Sequence, residues 1–245
     1  METDRALVDD RIGFVISKLE RLAFRSTFDP ATSTGDVAYN LTIVPDEILE
    51  PVSQMFDKVR DAGCSFFSGY SVIDRDPRVP SGHTGILTVC SITMDGVFQH
   101  NGIPVKVAYG GTIQIEDKKP VRFMNIIGYQ GSTVDSLQLF LGAGLTSINQ
   151  YINTGSGILL ANVRQIPGAA EERSQILIQE MQACGFRFPL MMGKGRIFNL
   201  LTDPHRISLV SYSGMNSIGG AVEAGYKLKT EIGAGTIPFS RVVDR

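Results

Sequence analysis

Residues 85–113, GILTVCSITMDGVFQHNGIPVKVAYGGTI, decide the fold. A β-branched run is followed by a polar turn, a short helical segment, a second strand-like run and a Gly-Gly end. Residues 206–237, RISLVSYSGMNSIGGAVEAGYKLKTEIGAGTI, repeat that order and close on AGTI where the first copy closes on GGTI. The repeat also extends backward. Gly157, Asn162, Pro167, Gly185 and Phe188 lie 122 positions after Gly35, Asn40, Pro45, Gly63 and Phe66. The apolar helical positions Ile48, Met55 and Val59 become Ala170, Leu177 and Met181, and Gly111-Thr112-Ile113 returns as Gly235-Thr236-Ile237 with a small drift in offset. A register held through helices and strands alike is the mark of an internal duplication.

Each half reads β-α-β-β-α-β, the order of a ferredoxin-like split βαβ unit. The expected class is therefore α/β (α+β), with repeats over about 35–113 and 157–237. The segment 114–156 between them carries a hairpin, TIQIEDKKPVRFMNII, turning at Glu116–Pro120, and two short helices near Val134–Leu141 and Thr146–Asn153. The second copy shortens the corresponding hairpin to TIPFSRVVDR. A strand over Val37–Val44 leads into a helix over residues 46–63, which Gly63 stops. Pro51 either kinks its first turn or marks its start. Residues 28–245 thus form one unit, preceded by a connector over 1–27. Within the connector, Val8, Ile12, Val15, Leu19 and Leu22 follow heptad spacing over a helix at 4–25. That spacing suits a helix laid across its own domain, a dimer seam or a rod to another domain.

Composition narrows the function classes. The net charge is −2, with acids and bases interleaved. A grip on phosphate backbone needs a basic face, so direct nucleic-acid binding by these residues is not expected. The three cysteines, Cys64, Cys90 and Cys184, form no CxxC pair and no Cys/His cluster, and read as reduced thiols in a cytoplasmic protein. Neither a signal peptide nor a membrane span is expected. The sequence holds no GxSxG, Walker loop, HExxH or strand-following GxGxxG, and His83, His100 and His205 are isolated. Catalysis and metal binding are accordingly not expected.

What remains is anion-binding architecture. A strand that runs straight into a helix leaves free N–H groups and a positive dipole end at the turn. SITMDG (91–96) and SYSGMNS (211–217) are such turns, and they nominate Cys90, Ser91, Thr93, Ser213, Gly214 and Asn216. Loops at Gly110–Gly111, followed by Thr112, and at Gly233–Gly235 would let backbone approach a ligand. Arg122 and Arg164, beside strand-like segments, could supply a fork to a carboxylate. The same turns also suit plain N-capping, and the same arginines ordinary salt bridges.

The run from LAFRSTFDP through GDVAYNL, GILTVCSITMDGV, GIPV, YGGTIQIEDKKPVRF, YQGSTVDSLQLF, GLTSI and TGSGILLANVRQIP resembles the regulatory domain of the archaeal nitrogen-regulation repressor family, NrpR. The resemblance covers about residues 10–240. It implies an effector domain that binds 2-oxoglutarate, weakens operator binding when ligand is bound, and works as a homodimer. It also implies that DNA is contacted through a helix-turn-helix domain or partner other than these residues. No cofactor beyond the ligand is implied. The nominated turns, Gly segments and arginines then become the expected 2-oxoglutarate site, with the ligand shifting the two halves or two protomers relative to each other. The other readings are a non-sensing dimerisation or co-repressor module and, more remotely, a small-acid enzyme.

Overall fold

The computed structural model describes residues 15–73 and 76–243. Helix α1 (Val15–Arg25) precedes β1 (Asp36–Pro45), α2 (Leu49–Asp61), β2 (Tyr70–Ile73), β3 (His83–Val89), α3 (Ile92–His100) and β4 (Lys106–Glu116). The middle segment is β5 (Lys119–Gly128), α4 (Ser136–Gly142) and α5 (Ile148–Thr154). The second half runs β6 (Gly157–Pro167), α6 (Glu171–Ala183), β7 (Met191–Gly193), a small ribbon of β8 (Arg196–Ile197) and β9 (Leu200–Leu201), then β10 (Arg206–Tyr212), α7 (Asn216–Glu223), β11 (Lys229–Pro238) and α8 (Ser240–Val243).

The duplicated β-α-β-β-α-β order is present, and the sheets add something to it. One sheet is ordered β11-β1-β3-β2 and the other β5-β4-β6-β10-β7, with every pairing antiparallel. Each half keeps the split-βαβ strand order, but the fourth strand of each has crossed into the other's sheet. β4 pairs with β6, and β11 pairs with β1. Helix packing obeys the same pseudo-twofold: α2 lies on α7, and its counterpart α6 lies on α3. Phe66 and Phe188, equivalent by the repeat, meet with ring centroids 5.4 Å apart inside a cluster of buried aromatics that includes Phe28, Phe67, Phe186 and Phe239. Each such side chain contributes about 1.5–3 kcal/mol of burial. The repeat thus supplies one matched pair, Phe66 and Phe188, to a cluster completed by unmatched aromatics.

Local chemistry explains the elements. Gly63 and Gly185 follow α2 and α6 with φ of 71° and 96°, a left-handed stop that costs glycine nothing. Pro51 sits in the first turn of α2, where its missing N–H has no intrahelical partner to lose. Leu19, Leu22 and Ala23 of α1 are buried with Ala38, Cys90, Ile92, Val107 and Tyr129, so this face of the helix packs into its own domain. The heptad positions Val8 and Ile12 lie outside the described residues.

Three sequence expectations need correction. Gly110–Gly111–Thr112 is not a loop but the middle of β4, and Gly233–Gly235 lies within β11. The glycines are there for space. A Cβ on Gly111 would stand 2.6 Å from the Asn125 carbonyl oxygen, and one on Gly110 would collide with the Ser136 hydroxyl. The C-terminal TIPFSRVVDR does not form a shortened hairpin: it finishes β11 and turns into α8. The ribbon β8–β9 and strand β7 carry no alternating pattern long enough to read from sequence.

Candidate functional site

The two strand-to-helix turns meet over a small cavity on the pseudo-twofold. Asn40 and Asn162 line it from β1 and β6, and Ser91 and Ser213 line it from the ends of β3 and β10. Asn40 and Asn162 are equivalent by the repeat, and by strand register Ser213 answers to Cys90, whose N–H groups bond the equivalent carbonyls of Leu160 and Ala38, so the duplication has placed two copies of one strand end around one space. Cys90, Tyr129, Asp135 and Arg164 complete the polar wall, and Leu19, Ile92, Leu137, Met215 and Ile232 the apolar one. Its volume is about 20 Å³, room for about one water.

Arg164 is the charge of the site. It stands on β6 with 2 % of its surface exposed, and its Nε donates to both carboxylate oxygens of Asp95 on α3, at 2.8 and 3.0 Å. Its Nη2 lies 3.5 Å from the Ser91 hydroxyl, and its Nη1 is buried with no hydrogen-bond partner among the described residues. Burial pushes the Asp95 carboxyl up from its ordinary value, and the Arg164 charge opposes that. Burial also works against the guanidinium, but Asp95, with smaller help from Tyr129 and Cys90, holds Arg164 above its ordinary value. The guanidinium is thus fixed in orientation by Asp95, with one N–H edge left over. A buried donor without an acceptor costs about 1–3 kcal/mol.

The rest of the wall is held by short polar links. The Tyr129 hydroxyl donates to Asn162 Oδ1 at 3.3 Å, and Asn162 Nδ2 reaches the Ser91 hydroxyl at 3.4 Å. Asn40 accepts from the Gly233 N–H at 3.1 Å and donates to Thr88 at 3.2 Å, pinning the bulge of β11 against β1. Asp135 caps α4 by accepting from the N–H groups of Leu137 and Gln138, and burial raises its carboxyl above the usual range. Burial likewise pushes the Cys90 thiol up to about 11, which keeps it protonated. No side chain among the described residues caps α3 or α7. Their first turns carry a positive dipole end toward Ser91, Ile92 and Met215 at the cavity.

The nominated residues fall into three groups. Cys90, Ser91, Arg164 and Ser213 line the cavity. Gly110 and Gly214 stand behind the wall. A Cβ on Gly110 would approach the Tyr129 hydroxyl to 2.8 Å, and one on Gly214 would collide with the Val89 carbonyl. The others are structural neighbours. The Thr93 hydroxyl accepts from the Ala38 N–H at 3.0 Å, and Thr112 donates to Asn125 at 3.0 Å. Asn216 bridges Leu160 and Cys64 backbone at 2.8–3.1 Å, and Gly111 packs under Asn125. Arg122 is exposed on β5 and donates to Gln114 at 2.8 Å, outside the cavity. Sequence reasoning missed Asn40, Asn162, Tyr129 and Asp135. The two asparagines were visible as a polar identity of the repeat, but Tyr129 and Asp135 arrive from the middle segment and left no such trace.

Residues 12–244 match the family model described as NrpR regulatory domains NRD1 and 2. The chain belongs to the NrpR family. It is 33% identical over 248 residues to the global nitrogen regulator NrpRI of Methanosarcina mazei, spanning 99% of this chain and 75% of that protein. It is 27% identical to the global nitrogen regulator NrpR of Methanococcus maripaludis, over 92% of this chain but 39% of that longer protein. A crystal structure of a nitrogen repressor-like protein from Methanococcus jannaschii superposes with a TM-score of 0.80 over 95% of this chain and 98% of that one, at 20% identity, and so shares the fold. An NrpR regulatory domain is part of a transcriptional regulator and not an enzyme. None of the three histidines lines the cavity. No cluster of His, Cys, Asp and Glu that could hold a metal occurs among the described residues, and no helix among them is long and apolar enough to cross a membrane.

Proposed function

We propose that this domain senses 2-oxoglutarate in the cavity between its halves and lowers operator binding when the ligand is in place. The observation that carries the reading is the unpartnered Nη1 of buried Arg164, a residue that lines a space ringed by Asn40, Asn162, Ser91 and Ser213. One carboxylate would take the free guanidinium edge. The asparagine amides and serine hydroxyls suit the keto oxygen, and the two uncapped helix ends favour negative charge. Operator contact is assigned to a helix-turn-helix domain or partner other than these residues, the working form to a homodimer, and the location to the cytoplasm.

A space for about one water does not admit a five-carbon diacid, so binding requires the wall to move. That requirement is what makes a ligand a signal: it stabilises the opened arrangement over the closed one. A coupling of ~1–3 kcal/mol would change operator affinity about 5–150-fold. Calorimetric titration tests the reading directly. Heat and a thermal shift are expected with 2-oxoglutarate, with weaker binding of glutarate, which lacks the keto oxygen. No heat and no thermal shift at millimolar 2-oxoglutarate would refute it and favour a co-repressor assembly module.

A further inference from the structure

The small cavity has a larger neighbour. A surface groove of about 430 Å³ runs between α1, α4 and β11, lined by Val15, Lys18, Leu19, Asp135, Lys229 and Ile232 among others. Leu19, Asp135 and Ile232 border both spaces. These three residues are therefore the partition between a buried arginine and solvent. Two of its three members are aliphatic side chains with no polar bond to break. The third, Asp135, is fixed by its role as the cap of α4.

We propose that Lys18 is the anchor for the ligand's second carboxylate and that α1 is the door through which the ligand enters. This rests on the 2-oxoglutarate reading above and assigns the other end of the same molecule. Arg164 is the one cation lining the cavity among the described residues, and its free edge serves one carboxylate. The second carboxylate then points through the partition into the groove. There Lys18 Nζ donates at 2.7 Å to the carbonyl of Ile232, the residue whose side chain helps close the cavity. That bond holds α1 against β11 in the closed state. Lys18 is exposed, so turning its ammonium from a neutral carbonyl to a carboxylate trades a weaker hydrogen bond for a charge-assisted one. The same turn frees Ile232 and carries Leu19, the next residue, out of the opening.

The consequence reaches past the site. α1 packs on α3 so closely that a Cβ on Gly96 would stand 2.7 Å from the Ala23 carbonyl. It cannot tilt inward, and ligand can only push it outward. Occupancy of the cavity thus becomes a displacement of α1 as a whole.

The test uses the whole chain and two ligands. Lys18→Gln should weaken 2-oxoglutarate by roughly tenfold or more, the loss of one charge-assisted bond, while 2-oxobutyrate, which has no second carboxylate, binds no more weakly than to the parent, because the variant also loosens the Lys18–Ile232 latch. Leu19→Ala should raise the association rate for both ligands. The proposal is overturned if Lys18→Gln binds both ligands as the parent does, or if Lys229→Gln shows the selective loss instead. Absence of 2-oxoglutarate binding by the parent chain would remove the underlying reading itself, a distinguishable outcome.

Discussion

Replacing Asp95 by Asn removes one charge and almost no volume from the most buried ionic contact among the described residues. Arg164 and Asp95 are 2 % and 1 % exposed, and Arg164 Nε reaches both carboxylate oxygens. The Arg164 Nη1 already lacks a partner among the described residues. With the carboxylate gone, the guanidinium keeps its desolvation cost and loses its compensation, a change worth about 3–5 kcal/mol. For a chain of this size each kcal/mol moves the midpoint by about 2–4 °C, so Asp95→Asn should melt roughly 6–20 °C early. Removing both charges together, as Asp95→Leu with Arg164→Met, replaces the pair by apolar volume and should restore most of the loss. Urea unfolding at constant m separates stability from compactness. A loss under about 1 kcal/mol in Asp95→Asn, or a double variant no more stable than the single one, would refute the view that this pair is a buried, mutually dependent unit. The double variant should also be blind to 2-oxoglutarate.

Three further outcomes follow from other contacts. Gly111→Ala should destabilise by ~1–3 kcal/mol in a thermal melt, because its Cβ would meet a backbone carbonyl at 2.6 Å, whereas Gly142→Ala, with nothing within 4 Å, should be neutral or slightly stabilising. Glu223→Ala should cost about 1–2 kcal/mol, because this carboxylate accepts from Thr146, Ile148 and Asn149 at 2.6–2.9 Å and so fastens α7 to the start of α5. Asp135→Asn keeps a good helix cap but removes an ionisable group whose folded-state value is raised by burial. A raised carboxyl binds its proton more tightly when folded, so the parent loses stability as pH rises from the ordinary carboxylate range through the raised value. The variant should show a flatter slope in urea midpoints as pH rises above the ordinary carboxylate range, and parallel slopes would contradict the burial argument.

The duplication was legible because it left identities at fixed spacing: Asn40 with Asn162, Gly63 with Gly185, Phe66 with Phe188. The exchange of β4 and β11 was not, because strand partners are set by non-local pairing that leaves no periodicity in either strand. Gly110 and Gly111 misled for a similar reason. Sequence reads a glycine pair as a loop, while here the requirement comes from Ser136 and Asn125, which belong to other elements. Arg164 could be nominated as a cation beside a strand, but its partner could not. Asp95 in the first turn of α3 reads as an ordinary helix-start acid, and its burial depends on β6 passing beneath it. Arg122 carried the same sequence cue as Arg164, and only the sheet distinguishes an outer edge from an inner strand.

The strand exchange also decides what can be taken apart. A half cut away in the segment 129–156 would leave β1 or β6 with an open edge, and the strand that covers it would depart with the other piece. An unpaired edge of that kind recruits whatever strand is at hand. The natural complement is the matching strand of an identical half. One polypeptide therefore holds the arrangement that two copies of a single half would reach by trading their last strands, and the tether between them fixes the trade as an internal one.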